Sequence, residues 1–393
     1  MVGRLQLCAG LTAGLLAVAA CGSEPAGGTR PTGRPVARAW LTGVTAMSGD
    51  DAWAVGAFRH ARDDLPLIEH WDGRTWTVMR ADRHLQSDAD YLFAGVAATS
   101  ATDVWAAGTL ASQYSFALAD RWDGTAWKEV PTPAAGCCFS AAGLSGVDAA
   151  SPTDAWAVGN KYTSGPRTLI LRWNARTRAW VKVPSPNPAG RDGSAAPSSL
   201  NGVAVLTGTD AWAVGFAKSG PSRQQNTLIE HWDGSRWTVT RSPNPSRAGC
   251  VSDELLGVAA TSAATFAVGD YCGAALVLRL NDGQWQQVQV PGPATGVSER
   301  LASVAVNDAS AWAVGSIGSR MLILHWNGTT WTTQRAPSPP GATSTRLASV
   351  TAASPSIAWA VGQADYPDHV KKLLIERWDG TNWTLVPVPN PPP

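Results

Sequence analysis

Three histidines, His60, His84 and His369, sit among charged or aromatic neighbours that could do chemistry. Arg59, Arg62, Asp63 and Asp64 flank the first. Arg83, Asp88 and Asp90 lie near the second, and Tyr366 and Asp368 near the third. Imidazoles beside carboxylates are the raw material of a metal centre or a general acid–base pair. The simpler reading is a set of scattered, solvated loop charges. Five tyrosines, Tyr91, Tyr114, Tyr162, Tyr271 and Tyr366, fall in the same kind of variable segment. A rigid ring with a polar tip suits a recognition surface, although long loops also use aromatic plugs to pack down. The remaining histidines, His70, His231 and His325, recur at one equivalent position and read as structural.

What must position these residues is a repeat. An aromatic residue opens the run W-A-V-G, or a close variant, at Trp53, Trp105, Trp156, Trp212, Phe266, Trp312 and Trp359, in steps of 52, 51, 56, 54, 46 and 47 residues. A strand-like repeat with a period of about 50 predicts one propeller blade per unit. The expected fold is all-β: a seven-bladed β-propeller of four-stranded antiparallel blades over residues 39–390.

Each unit resolves into four strands. The first carries a tiny residue (Gly43, Gly95, Gly146, Gly202, Gly257, Ser303, Ser349), as crowding of seven strands about one axis demands. The second is the W-A-V-G run, preceded in four units by Asp51, Asp103, Asp154 or Asp210, read as turn residues rather than catalytic acids. The third ends in W-D-G-x-x-W, where Asp-Gly predicts a hairpin with positive φ at both turn residues. The fourth usually ends in proline, which an outermost strand tolerates. Nineteen of the twenty tryptophans occupy repeat positions and are assigned to blade packing, leaving Trp40 just before the first strand. Glu69, Glu230 and Glu376 also recur at one position, which argues against catalysis.

Length variation concentrates in the second-to-third connections and in the blade-to-blade connections, which share one face of a propeller. That face carries all five tyrosines and, with units 7, 1 and 2 adjacent around the ring, the His60, His84 and His369 set. Binding sites favour loops on rigid scaffolds. Each unit runs from inner to outer strand, so the first and last blades meet without sharing a strand; alternatively, the segment before Trp40 adds to the edge of blade 7.

The N-terminal residues 1–20 read as a targeting signal, with Arg4 before the apolar stretch Leu5 to Ala20. Val18-Ala19-Ala20-Cys21 resembles the lipobox of bacterial lipoproteins, which implies lipidation of Cys21, a tether over 21–38 and an extracytoplasmic, membrane-anchored protein. Ordinary secretory cleavage is the alternative. Disulfides are permitted outside the cytoplasm. Cys250 and Cys272 map to one blade and one face and are expected to pair, whereas Cys137 and Cys138 are adjacent and open in state.

Trp173-Asn174-Ala175-Arg176-Thr177-Arg178-Ala179-Trp180 resembles the kelch and galactose-oxidase-like repeat, with Trp for Tyr at its start and one glycine, such as Gly56 or Gly159, where that repeat has two. The D-G-x-x-W turns also look like sialidase Asp boxes, with the Asp one residue too close to the Trp. These resemblances imply fold rather than activity. Charged residues make up 16% of the chain and net charge is +1, with no basic run, so nucleic acid is a poor partner. The expected function is a monomeric binding module, without cofactor, for a protein or glycan of the cell envelope. Tyr91, Tyr114, Tyr162, Tyr271, Tyr366, His60, His84 and His369 are its expected contacts. The alternative is an extracellular hydrolase, lyase or oxidase acting from the loops of blades 7, 1 and 2.

Overall fold

The computed structural model describes residues 38–391 apart from 83–84, 86–87, 134–140, 163–164, 189–195, 220–223, 246–251, 293–295, 308–309 and 390. His84, Cys137, Cys138 and Cys250, with the whole targeting segment and Cys21, lie outside the described residues. Seven antiparallel sheets stand in a ring, each built from consecutive strands paired in chain order from the inside outward. Blade 1 comprises Ala39–Ala46, Ala52–His60, Asp63–Trp71 and Trp76–Met79. The inner strands of blades 2 to 7 are Asp90–Ser100, Ala142–Ser151, Ser198–Thr207, Asp253–Ala260, Glu299–Asn307 and Ser344–Ser354.

The W-A-V-G glycine has a cause that the sequence pattern alone does not reveal. Every inner strand carries a β-bulge between its Leu or Phe and its tiny residue, as between Leu41 and Gly43. The bulge pushes the carbonyl of the preceding residue against the second strand. A Cβ on Gly56 would overlap the Trp40 carbonyl oxygen, and one on Gly159 that of Gly143. The tiny residue next to the bulge meets the neighbouring blade instead. A Cβ on Gly95 would lie 3.3 Å from the Gly146 Cα. Where serine replaces glycine, the hydroxyl bonds across the same gap: the Val350 amide donates to Ser303 Oγ at 3.3 Å and the Val44 amide to Ser349 Oγ at 3.2 Å.

The tryptophans pack between blades. The aromatic residue of each second strand reaches the tryptophans of the next blade: Trp53 to Trp122 and Trp127, Trp105 to Trp173 and Trp180, Trp156 to Trp232 and Trp237. Phe266 makes the same contacts with Trp326 and Trp331. In the divergent fifth unit Leu280 replaces one tryptophan, leaving Trp285 on Trp212 at 5.3 Å. The ring closes by the same device, with Trp359 of blade 7 at 5.1 Å from Trp71 and 5.3 Å from Trp76 of blade 1. The strands of blade 7 all come from residues after 343, and Arg38 meets that blade through a bridge to Lys371 and a side-chain bond to the His369 carbonyl. Among the described residues no strand is shared at the seam.

Two details differ from the sequence expectation. The Asp-Gly turns of four blades and the Asn327-Gly328 turn of blade 6 span four residues between paired tryptophans, and only the glycine takes positive φ, as at Gly73 (φ 92°). Asp72 instead accepts the amides of Arg74 and Thr75 at 2.9 and 2.8 Å. The two-residue hairpin with both φ positive occurs in blade 5, at Asp282 (φ 49°) and Gly283 (φ 74°). Blade 2 also gains a fifth strand, Ala81–Asp82, parallel to its outer edge at Trp127 and Lys128.

Candidate ligand face at the axial rim

The two faces of the ring are chemically different. On the short-turn face, His or Arg from the third strand lies on the second-strand aromatic ring: His70 stacks on Trp53 at 4.0 Å, His231 on Trp212 at 4.1 Å, and Arg172 lies over Trp156 at 4.8 Å. The turn aspartates hold these side chains. Asp51 meets His70 at 3.0 Å, Asp210 meets His231 at 2.9 Å, Asp103 meets Arg121 at 2.5 Å and Asp154 meets Arg172 at 3.0 Å. These histidines are structural, as their recurrence implies, and the aspartates do more than shape a turn. His325, over Trp312, loses its Asp partner to Ser310, and burial lowers its pKa.

On the opposite face, second strands end, third strands begin and inner strands begin. The residue just before the bulge of each inner strand forms one tier around the axis. Around the ring these are Trp40, Leu92, Gly143, Ser199, Glu254, Arg300 and Arg346, each paired in register with the residue after the W-A-V-G glycine. Contacts between neighbouring blades establish the tier. Arg300 of blade 6 meets Glu254 and Asp270 of blade 5 at 2.7 and 3.3 Å, and Asn160 of blade 3 donates to Ser199 Oγ of blade 4 at 3.3 Å. A Cβ on Gly143 would run into the Thr109 hydroxyl of blade 2. In blade 7, Asp365 accepts from Arg346 at 3.3 Å and from Gln363 at 2.7 Å. Burial raises the Asp270 pKa to about 6 despite the Arg300 guanidinium. One arc of the rim is therefore ion-paired and the arc around Trp40 and Leu92 is apolar.

The expected site residues divide. Tyr162 and Tyr271 end second strands on this face, Tyr366 precedes a short 3-10 turn, Pro367–His369, and Tyr114 lies in the turn before Ser115–Trp122; all four are partly exposed. Lys372 Nζ sits 4.6 Å over the Tyr366 ring. Tyr91 departs from expectation. The inner strand of blade 2 begins at Asp90, so the pleat puts Tyr91 on the same side as Phe93, in the core between blades 1 and 2 and 1% exposed. It is a packing residue, not a surface contact.

The charged set of blades 7, 1 and 2 assembles in part, as an ion-pair network among the described residues that leaves out the His60 and His369 side chains. Arg59 bridges to Asp64 at 2.7 Å, and the Asp64 amide donates to Asp90 at 2.7 Å. His60 and His369 are exposed; His369 contributes its backbone carbonyl to Arg38 at 3.3 Å. Among the described residues, no three His, Cys, Asp or Glu side chains converge as a metal centre.

Sequence reading missed two features. The Ser-Pro-Asn runs at 185–187 and 242–244 pin blade connections to third strands, with Asn187 and Asn244 accepting from the Thr168 and Thr227 amides at 3.0 and 2.7 Å. A cavity of about 250 Å³ lies beside the second of these, on the flank of blade 4 and lined in part by Thr227, Ser242 and Asn244. The other is the rim itself. Its only sequence signal is a repeat position that holds six different residue types in seven units.

No known family's sequence pattern matches this chain, and no curated protein matches it. Solved structures do. YCF48 bound to a D1 peptide aligns with a TM-score of 0.52 at 15% identity, over 91% of this chain and 99% of its own. The GH74 xyloglucanase of Xanthomonas campestris aligns at 0.56 and 14% identity, over 88% of this chain but 54% of the enzyme. The propeller domain of the Trilobed protease from Pyrococcus furiosus, described as having an open velcro topology, aligns at 0.51 and 9% identity, over 90% of this chain and all of that one. At such identities the likeness shows the fold, a β-propeller, and the ring here likewise closes without a shared strand.

Proposed function

We propose that the chain is an extracytoplasmic binding module, anchored through lipid on Cys21, that presents its long-loop face to a protein or glycan partner of the cell envelope. One observation carries this reading: the same inner-strand position that is structurally equivalent in all seven blades holds six different residue types on this face, with only arginine occurring twice. The repeated positions of the other face are spent on stacked histidines, arginines and tryptophans. A surface that varies over an invariant frame is the arrangement of a recognition site. YCF48, of the same fold, is seen with a peptide, which makes a protein partner reasonable. The kelch-like repeat spacing belongs to this proposal too.

Tyr114, Tyr162, Tyr271 and Tyr366 are the expected contacts, together with the rim. In the Cys250–Cys272 pairing, Cys272 occupies a turn (φ 48°) and its amide donates to the Ser252 carbonyl at 3.0 Å, two residues from Cys250. Such a bridge would tie the connection into blade 5 to its second-strand turn.

The test is capture from detergent-solubilised envelopes by the full-length protein. Replacing Tyr114, Tyr162 and Tyr366 with alanine should abolish capture and leave the thermal midpoint in place. Capture that survives the triple substitution contradicts the reading.

A further inference from the structure

Trp40 is the one tryptophan outside the packing scheme. The other nineteen all stack on an aromatic or histidine ring. Trp40 has no ring partner among the described residues and is only half-buried, although it lies within an inner strand. Its backbone is fixed: the bulge presses its carbonyl against Gly56, and register pairs it with Ala57, which is fully buried. The part of a large, rigidly held apolar ring that stays in water contributes favourable free energy when a ligand covers it.

Its neighbours say what chemistry would. Trp40 follows Arg346 around the tier, then come Arg300 and Glu254 on the ion-paired arc. Those charges are already engaged with one another: Arg300 with both Glu254 and Asp270, Arg346 with Asp365. A charged ligand would have to break these pairs, whereas a neutral hydroxyl can donate to a carboxylate and accept from a guanidinium while they persist. The backbone at this tier is paired on one side with the second strands, and its inner edge is crowded at the adjacent bulge by the next blade, as at Gly43 against Gly95, which leaves an extended peptide little room to add as a strand. An aromatic platform beside a few fixed, planar polar groups fits a ligand with apolar faces and a hydroxylated edge.

We propose that the axial rim binds a neutral oligosaccharide, one sugar ring stacked on Trp40 and further hydroxyls bonded to the Arg346–Asp365 and Arg300–Glu254 pairs. This deepens the binding-module reading and rests on it.

The experiment uses full-length protein labelled with 15N at its tryptophan indoles. Cellotetraose, mannotetraose, maltotetraose and chitotetraose are titrated to about 10 mM, a range that reaches weak binding, with a neutral tetrapeptide in parallel. The Trp40 indole resonance is the one that disappears in Trp40→Phe. A tetrasaccharide is expected to shift it saturably. Calorimetry with the same sugar, which needs no indole at position 40, is expected to show binding weakened at least tenfold in Trp40→Ala, kept within a few-fold in Trp40→Phe, and weakened in Arg300→Gln. The inference is overturned if no tetrasaccharide moves that resonance, if the tetrapeptide moves it instead, or if binding survives Trp40→Ala in a protein that melts like the parent. A failed titration with envelope capture still dependent on Tyr114, Tyr162 and Tyr366 removes the saccharide and leaves the module. Loss of both removes the whole reading.

Discussion

The two ends of each blade obey opposite rules. At the short-turn end, one register position holds His or Arg seven times, and each lies on its own blade's aromatic ring. At the rim, one register position holds Trp, Leu, Gly, Ser, Glu, Arg and Arg. Both ends belong to the same strands, so the difference is not one of fold. A position that must fill a fixed interblade gap admits few solutions. A position at the start of the inner strand, where no such gap has to be filled, admits many, from buried Ser199 to partly exposed Trp40 and Arg346, and chemistry can be placed there at little structural cost.

That contrast can be broken or sharpened by substitution. The largest losses should come from the frame. Gly159→Ala would drive a Cβ into the Gly143 carbonyl, which neither strand can yield without losing its bulge. Destabilisation of about 3 kcal/mol or more is expected in denaturant melts. Trp156→Ala, which removes a fully buried ring contacting Trp232 and Trp237, should cost about 3–5 kcal/mol.

Next comes pH. Glu69, Glu230 and Glu376 are fully buried, and desolvation raises each pKa to about 8. Glu230 is partly relieved by the Ser185 hydroxyl at 2.9 Å. Leu67, Glu69 and Trp71 share one side of their strand, and that side packs against Trp359, Val361 and Ile375 of blade 7, so Glu69 lies in the unshared seam. A raised carboxyl favours folding while protonated. This stability is complete below the unfolded value of 4.5 and is lost as pH rises through about 8. Thermal midpoints should therefore fall between about pH 5 and pH 9. Replacing all three glutamates with glutamine should flatten that fall; an unchanged slope would remove these groups as its cause.

The smallest frame effect is expected at Asp51→Asn. The His70–Asp51 pair is partly exposed, with side chains 28% and 21% accessible. A loss of no more than about 1 kcal/mol is expected, since solvent screens such pairs.

Most of the frame was legible in the sequence because its causes repeat. The seven W-A-V-G runs, the tiny inner-strand residues and the paired tryptophans each reflect one steric demand met seven times. The site was legible only as a face. Tyr91 looked like a loop residue because the strand boundary fell two positions later in the repeat alignment than in space, and a single step decides which side of a strand a residue occupies. Trp40 looked incidental because no repeat position predicts it. His60 and His369 were singled out for their chemistry, but their side chains point to solvent while Arg59, Asp64 and Asp90 form the network beside them. Repetition identifies structure; function has to be sought at positions where the repeat fails to agree with itself.

The most direct test of that claim sets one rim tryptophan against one frame tryptophan in the same two assays. Trp40→Ala and Trp156→Ala are each measured for thermal midpoint and for saccharide binding by indole shift or calorimetry. Trp40→Ala is expected to keep the parent midpoint and lose binding, and Trp156→Ala to lose stability while its folded fraction still binds. A Trp40→Ala protein that melts as early as Trp156→Ala, or binds as well as the parent, would contradict the division of this propeller into frame and rim.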